Sequence, residues 1–241
     1  MKKIMIEPGG FDPFHTCHMS QTLYFAKEND IKEVIILLSY KNGKKVEQRK
    51  EIIEAWWDEL PLQKENLRPW IERDSFPKVM KKCHYLLEKP KFDIKIDYKG
   101  GEDKNTGDRI LEIVSSNNLL PFKDYYLLLG FDAFLNFDTF CNYEKILRKT
   151  KLLVNNYEGE KYNYYQGKSY SIDGESGWKT FPFRVEGESG TIVLPKEPKK
   201  IEFDRNPTRG LHSTYIRENP EKYLHFFPPK VRKLIEKYYV K

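Results

Sequence analysis

Short apolar runs that alternate with helical segments constrain the fold of this chain most strongly. Strand-like runs occur at IMIE (4–7), EVIILLS (33–39), DIKIDY (93–98), DYYLLLG (124–130) and KLLVNN (151–156). Runs that are apolar on both sides are typical of a parallel sheet covered by helices on both faces. Helical spacing of apolar residues predicts helices over 17–29, 46–59, 105–117, 144–150 and 226–240. The alternation predicts an α/β fold with a doubly wound parallel sheet.

Two stretches depart from this alternation and divide the chain. Residues 61–91 are rich in proline, lysine and aromatic residues, and they indicate an insertion within a core of residues 1–156. Residues 157–203 mix tyrosine, glycine and serine with β-forming residues, so we expect a small antiparallel β appendage there. Residues 204–241 are predicted to form a C-terminal, mainly helical part.

Composition narrows the class of protein. No apolar run of the 241 residues approaches a membrane span, and the start MKKIMIEPGG is too short for a signal-peptide core, so we expect a cytoplasmic protein without a membrane partner. Cys17, Cys83 and Cys141 are scattered, which argues against a disulfide framework. A net charge of +6 does not indicate nucleic acid, but it suits a ligand with several phosphates; a lysine-rich surface explains most of it. A homo-oligomer stays open.

The loop GGFDPFHTCH (9–18) follows the first strand. Gly9 and Gly10 allow a ligand to approach the backbone, and Pro13 stiffens the turn. His18 falls in the first helical turn, where free N–H groups favour an anion. Zinc is a poor alternative because near neighbours in sequence rarely converge on one tetrahedral ion. Parallel sheets bind ligands beyond their carboxyl ends, so the loop is predicted to receive a nucleoside triphosphate.

Three segments together resemble the nucleotidylyltransferase superfamily with a His-x-Gly-His loop, and more closely its nicotinate and nicotinamide mononucleotide adenylyltransferases. In the first loop the matching residues are Phe11, Asp12, Pro13, His15 and His18. In LHSTYIR (211–217) they are Ser213, Thr214, Ile216 and Arg217, and in the segment that starts at 130 they are Gly130, Asp132 and Phe140. Weaker similarities are Arg49, the pair Lys44 and Lys45, and NTGDRI (105–110) with Thr106. The resemblance spans most of the chain outside 61–91 and 157–203.

This resemblance implies a Rossmann-like fold and transfer of the adenylyl group of ATP to a pyridine mononucleotide in NAD biosynthesis. The implied catalytic residues are His15, His18 and Arg217. The implied ATP site adds Gly9, Gly10, Phe11, Gly130, Asp132, Ser213, Thr214, Lys44 and Lys45, with Ser213 and Thr214 capping the helix that completes the phosphate site. The implied acceptor site comprises Asp12, Thr106 and Phe140. Mg²⁺ is expected through the ATP phosphates, without direct protein ligands.

Departures from the family pattern concern both halves of the site. Cys17 stands in place of the glycine between the histidines, and His212 in place of a serine. On the acceptor side, Phe140 replaces a tryptophan, and Asn155 and Asn156 occupy the place of an arginine. Lys44 and Lys45 fit a phosphate-binding loop or a solvated turn equally well.

Several functions are compatible with these residues. The leading one uses nicotinate mononucleotide as acceptor, and a close alternative uses nicotinamide mononucleotide, or both. A more remote alternative is a transferase with another acceptor, such as a phosphorylated sugar or alcohol with CTP. A non-catalytic nucleotide-binding module is the alternative outside enzymes.

Overall fold

Strand β1 (Lys2–Gly9) forms the middle of a parallel sheet because its central residues are apolar on both faces. The computed structural model describes residues 2–39, 45–60, 91–97, 105–116, 123–130, 133–134, 137–156, 178–185, 188–195, 201–205 and 212–240. Within these, Ile4, Met5 and Ile6 are almost completely buried. A strand that is covered on both sides must have helices on both sides, and this sets the architecture.

Six strands form the main sheet in the order β3-β2-β1-β4-β5-β8, and every neighbouring pair is parallel. The other strands are β2 (Glu33–Leu38), β3 (Asp93–Asp97), β4 (Lys123–Gly130), β5 (Thr150–Asn156) and β8 (Ile201–Arg205). The chain proceeds outward from β1 to β3, then returns to β4 on the other side of β1. Strand order therefore reverses between β1 and β4, which is where such sheets bind ligands.

Helices cover both faces of this sheet. They are α1 (Thr16–Glu28), α2 (Val46–Glu59), α3 (Thr106–Ser115), α4 (Tyr143–Lys149), α5 (Ser213–Glu218), α6 (Pro220–Tyr223) and α7 (Pro229–Tyr239), with 3₁₀ turns at Phe137–Thr139 and Leu224–Phe226. One core cluster joins one face of the sheet to α1, α2 and α7, and a second joins the other face to α3 and α4. The predicted doubly wound sheet is thus confirmed.

The five predicted strands and five predicted helices all occur, with ends shifted by a few residues. Strand β8 is different. The sequence predicts residues 201–203 in the antiparallel appendage and residues 204 and 205 in the C-terminal part, but Ile201–Arg205 pairs in parallel with β5 at the edge of the main sheet. The structure also pairs β6 (Trp178–Val185) with β7 (Glu188–Pro195) as antiparallel strands. The rest of 157–200 and the insertion at 61–91, apart from Lys91, lie outside the described residues, so an appendage as a unit remains a prediction.

The C-terminal segment packs back onto the first half of the chain. The Thr16 hydroxyl at the start of α1 donates to the Phe226 carbonyl, and the backbone N–H of Lys230 donates to Glu59 at the end of α2 over 2.7 Å. These contacts hold the C-terminal segment against the start of α1 and the end of α2. In the part of the chain that the structure describes, no helix has the length and apolar character needed to cross a membrane.

Candidate functional site

The loop between β1 and α1 lies at the carboxyl edge of the sheet, where strand order reverses. Phe11 has a positive φ of 46°, and its ring folds back over Gly9. A Cβ added to Gly9 would lie 2.6 Å from the end of that ring, so the fold requires glycine there. At Gly10 the nearest atom to an added Cβ is the Ser39 hydroxyl oxygen at 3.8 Å, an ordinary contact.

His15 and His18 form a stacked pair at the start of α1. Their ring centroids are 3.8 Å apart at an interplanar angle of 23°, and the rings of Phe11 and Phe14 lie about 5 Å from that of His18. The His15 backbone N–H donates to Nδ1 of His18 over 3.3 Å. A neutral imidazole whose Nδ1 accepts a hydrogen bond carries its proton on Nε2, so His18 presents Nε2–H as a donor.

Burial keeps both imidazoles neutral. His15 is only 3% exposed, and burial together with the nearby His18 and His212 holds its pKa well below the ordinary 6.5. Burial, with a smaller contribution from His212, lowers the pKa of His18 to about 3. Near neutral pH this pair therefore offers hydrogen-bond donors without positive charge, and any positive charge for an anion must come from other residues.

Helix α5 brings the second predicted segment to the same loop. The Ser213 hydroxyl donates to the Pro13 carbonyl over 3.0 Å, although 200 positions separate these residues. The Arg217 guanidinium donates to the Asp12 carbonyl and, over 3.1 Å, to the hydroxyl of Thr214. Its side chain remains 39% exposed, so part of the guanidinium is accessible at the loop that carries Asp12.

One predicted role in this helix is wrong. Ser213 and Thr214 were expected to cap α5, but His212 occupies the N-cap position, and Ser213 is the first residue of the helix. The Ser213 hydroxyl is directed to the first loop instead, because the loop presents the Pro13 carbonyl beside it. His212 packs edge-on against the ring of Tyr215, with centroids 5.3 Å apart.

Asp12 connects the loop to the C-terminal helix. Its buried carboxylate accepts a hydrogen bond from the Tyr239 hydroxyl, and its other oxygen lies 3.9 Å from Arg217. Burial, and then the hydrogen bond to Asp12, raise the pKa of Tyr239 above the ordinary phenol value, so its hydroxyl remains a donor. These contacts give Asp12 a role in fixing the loop backbone.

Two buried arginines join the carboxyl ends of the strands. Arg49 in α2 donates to the carbonyls of Gly10 and Ser39, and so ties the turn after β1 to the turn after β2. Arg109 in α3 donates to the Leu38 carbonyl and, at 3.0 and 3.3 Å, to the carbonyl and carboxylate of Asp97. Buried guanidinium groups of this kind need several acceptors, and the strand ends supply them.

The predicted acceptor residues lie around the start of α3. Thr106 begins this helix after the N-cap Asn105, whose side chain accepts from the Asp108 N–H. A Cβ on Gly107 would lie 2.0 Å from the Cys141 carbonyl oxygen, so α3 touches the backbone next to Phe140. Phe140 is partly buried, and its ring packs against Phe137 with centroids 5.2 Å apart. Thr106 and Phe140 are thus near in the fold.

The remaining predicted residues are placed as follows. Gly130 is the last residue of β4, beside the reversal point, and Lys45 is exposed at the N-cap position of α2. Lys44 and Asp132 lie outside the described residues. The Cys17 side chain, which replaces a family glycine, is buried in the core cluster that includes α1.

Sequence reasoning missed the parts played by Arg109 and Tyr239. Arg109 directly precedes Ile110, which is fully buried, and Tyr239 continues the spacing of Val231 and Ile235. A charged or hydroxyl-bearing residue on an otherwise buried helix face was the available signal, because such a group needs a partner.

Among the residues that the structure describes, no three His, Cys, Asp or Glu side chains are grouped so that they could hold an ion. The Asp12 carboxylate, the nearest anionic donor to the histidines along the loop, is engaged by Tyr239.

Comparison with known proteins gives matches at the level of structure. No protein-family model and no curated protein sequence matches the chain. Two solved structures of the nicotinic acid mononucleotide adenylyltransferase of Plasmodium falciparum match, one complexed with APC (TM-score 0.58, 14% identity) and one with NaAD (TM-score 0.59, 15% identity). Each match covers 100% of this chain and 97% of the other.

A third match is a protein of Vibrio parahaemolyticus described as a candidate nicotinate-nucleotide adenylyltransferase, with a TM-score of 0.52 and 14% identity over 98% of this chain and 99% of that one. Identities this low establish the fold alone. The chain therefore shares a doubly wound fold with these three structures.

Proposed function

We propose that this chain transfers the adenylyl group of ATP to nicotinate mononucleotide, giving nicotinate adenine dinucleotide and pyrophosphate. The observation that supports this most is the joining of two distant segments at one edge of the sheet. The stacked His15–His18 pair follows β1, and α5 brings Arg217 to the same loop through Asp12 and Pro13. The shared fold with adenylyltransferases of 14 to 15% identity adds support.

The reaction makes one bond to phosphorus and breaks another. A phosphate oxygen of the mononucleotide attacks the α-phosphorus of ATP, and the bond from the α-phosphorus to the bridging oxygen breaks, so pyrophosphate leaves with the electron pair. The attacking phosphate is already an anion, so no protein nucleophile is needed. The protein contributes by positioning the reactants and by stabilising the charge that develops on the phosphate oxygens.

The neutral histidines and the exposed arginine divide this work. Nε2–H of His18 and the imidazole of His15 donate hydrogen bonds to oxygens around the α-phosphate, and the low pKa of each keeps it a neutral donor. Arg217 supplies positive charge to the departing pyrophosphate. The Thr214 hydroxyl and the exposed Lys45 are further phosphate donors in this proposal, with Lys44 as its neighbour in sequence.

The rest of the predicted site is assigned as a proposal. Gly9, Gly10 and Phe11 shape the backbone that the triphosphate follows, and Gly130 with Asp132 borders it from β4. Thr106 and Phe140 face the acceptor, with Phe140 as the ring on which the pyridine stacks, and Asp12 contributes to this half of the site by fixing the loop backbone. When bound to the ATP phosphates, Mg²⁺ would neutralise phosphate charge, and the chain itself supplies the donors named above.

Acceptor identity is the finer question, and a direct assay decides it. The protein is mixed with ATP, Mg²⁺ and either nicotinate or nicotinamide mononucleotide, and pyrophosphate and dinucleotide are measured separately. We expect both products in equal amounts, with the nicotinate substrate faster. Faster reaction with nicotinamide mononucleotide would select the alternative acceptor. Product from CTP and a phosphorylated alcohol would select another transferase, and ATP binding without pyrophosphate would indicate a binding module.

His18→Ala tests the site within that assay. Loss of one well-placed donor of this kind typically lowers the rate by about 10² to 10³. We expect a loss of this size in kcat, with a far-UV circular dichroism spectrum like that of the unaltered protein. Turnover near the rate of the unaltered protein would show that His18 is not a catalytic residue.

A further inference from the structure

A buried carboxyl group lies behind the histidine loop. Glu7 is in β1, two residues before Gly9, and it is only 1% exposed. Its Oε2 lies 2.6 Å from the Thr22 hydroxyl oxygen, and its Oε1 accepts from the Gln21 side-chain amide over 3.3 Å. Both partners belong to α1 and neither carries charge. The position before it on the same strand face is Met5, which belongs to the apolar core.

The Thr22 hydroxyl has a single hydrogen atom, yet its oxygen lies close to two other oxygen atoms. Besides Glu7, it lies 2.8 Å from the backbone carbonyl of His18, one turn earlier in α1. A carbonyl can only accept, and a hydroxyl has a single hydrogen to donate. If that hydrogen goes to the His18 carbonyl, the 2.6 Å contact with Glu7 requires that Glu7 be the donor. An ionised Glu7 would leave one of the two contacts without a hydrogen.

We propose that Glu7 is protonated in the folded protein and that its proton, through Thr22, positions the first turn of α1, which carries His18. The order of donors runs from the Glu7 carboxyl to the Thr22 hydroxyl and from there to the His18 carbonyl. Glu7 is thus a positioning residue for the proposed adenylyl transfer, since it touches no reacting atom. The claim that Glu7 positions a catalytic His18 rests on the proposed function, whereas the protonation of Glu7 does not.

The surroundings of Glu7 agree with a neutral group. Burial raises the pKa of Glu7 to about 8, and this outweighs the lowering that a hydrogen bond donated by Thr22 to the ionised carboxylate would bring. Its register partner on β2 is the apolar Ile36, and α1 supplies an amide and a hydroxyl. His18 takes part in this network through its backbone carbonyl, and its imidazole is neutral because burial lowers its pKa.

The first experiment measures the proton without using activity. A carboxyl whose pKa is higher in the folded than in the unfolded chain stabilises the fold below the unfolded value, and that contribution is lost as pH rises through the folded value. The equilibrium constant for folding is measured by urea unfolding from about pH 5 to 9 for the unaltered protein and for Glu7→Gln. The Gln amide occupies the same space and can also donate to Thr22.

We expect the folding constant of the unaltered protein to fall relative to that of Glu7→Gln by about tenfold per pH unit up to about pH 8, and then to run parallel. In the infrared spectrum at about pH 6, the unaltered protein should show the band of a buried protonated carboxyl, absent in the variant. Parallel folding curves throughout, or no such band, would overturn the proton assignment.

The second experiment measures positioning with matched variants of Thr22. Thr22→Ser keeps the hydroxyl, whereas Thr22→Val keeps the shape and removes it. We expect Thr22→Val to lower kcat for dinucleotide formation at least tenfold and to shift the imidazole NMR signals of His18, while Thr22→Ser retains both. Equal behaviour of the two variants would overturn the positioning role. If the unaltered protein forms no dinucleotide, the proposed function fails, whereas the folding and NMR measurements still decide the present proposal.

Discussion

At the residue scale, Gly9 and Gly10 differ in what a methyl group would meet, although the sequence treats them alike. We predict that Gly9→Ala destabilises the fold by about 1 to 3 kcal/mol, because the added Cβ would lie 2.6 Å from the buried Phe11 ring. Gly10→Ala is the matched control, since its Cβ meets only an ordinary contact at 3.8 Å. Urea unfolding measures both. Equal losses of stability would contradict the packing of Phe11 on Gly9.

The charge state of His18 gives a second prediction at this scale. Because burial lowers its pKa to about 3 from an ordinary 6.5, the imidazole should stay neutral in the folded protein at about pH 5. The unfolded chain takes up this proton as pH falls below about 6.5, so this residue makes the fold less stable towards acid. Imidazole ¹⁵N shifts measure the state, with the urea-unfolded chain as control. Titration of folded His18 near 6.5 would contradict it.

The sequence indicated where these histidines lie but not that they stack or that they are neutral. The order of Gly9, Pro13, His15 and His18 along the loop predicted a site after β1, and the structure places it there. Stacking of the two rings and their neutrality depend on how Phe11 and Phe14 of the same loop pack and on His212, which the fold brings from the C-terminal half. Local spacing contains no information on such burial, so the desolvated state could not be derived from it.

At the scale of elements, α7 holds the candidate site together through one hydroxyl. Tyr239 donates to the buried carboxylate of Asp12, whereas its neighbour Tyr238 donates to Glu51 at an exposed position. We predict that Tyr239→Phe costs about 1 to 3 kcal/mol of unfolding free energy and raises KM for ATP, because a buried anionic acceptor loses its donor. Tyr238→Phe, the control on the same helix, should cost less than about 0.5 kcal/mol.

These variants are compared by urea unfolding and by initial rates at varied ATP. If Tyr238→Phe proved as costly as Tyr239→Phe, stability would depend on the α7 surface and not on the contact with Asp12. If Tyr239→Phe lost stability without any change in KM, α7 would support the core but not the loop. Because the two tyrosines are adjacent in one helix, a general effect on α7 would appear in both variants, and only the contact with Asp12 would distinguish them.

Elements with strong apolar patterns were predictable, and those without were not. Helix α2 matches its predicted residues 46–59, because Ile52, Ile53 and Trp56 repeat at helical spacing on a buried face. Strand β8 reads IEFDR, in which charged residues alternate with apolar ones, and it lies at the sheet edge, so its pairing with β5 gave no comparable signal. The N-cap of α5 was also missed, since a histidine is not among the usual capping residues.

At the scale of the whole molecule, the candidate site joins both ends of the chain. The loop after β1 contacts Ser213, Arg217 and Tyr239, more than 190 positions later in the sequence. Sequence motifs predicted that two of these segments belong to one site, but the contacts that join them are between side chains and backbone carbonyls, which a motif does not specify. A ligand that binds across this junction should therefore stabilise the fold as a whole and not one segment.

This leads to a prediction for ligand binding by the intact chain. A ligand that binds only the folded state adds about 2.7 kcal/mol of stability at a concentration one hundred times its Kd. We expect ATP with Mg²⁺ to raise the melting temperature progressively with concentration, and CTP to do so much less. In Arg217→Ala, which removes charge from the C-terminal half of the junction, the ATP effect should largely disappear.

Lys222→Ala, an exposed lysine on α6, serves as the charge-matched control and should keep the effect. If Arg217→Ala responded to ATP as fully as Lys222→Ala, the triphosphate would not bridge the junction, and α5 would only support the loop.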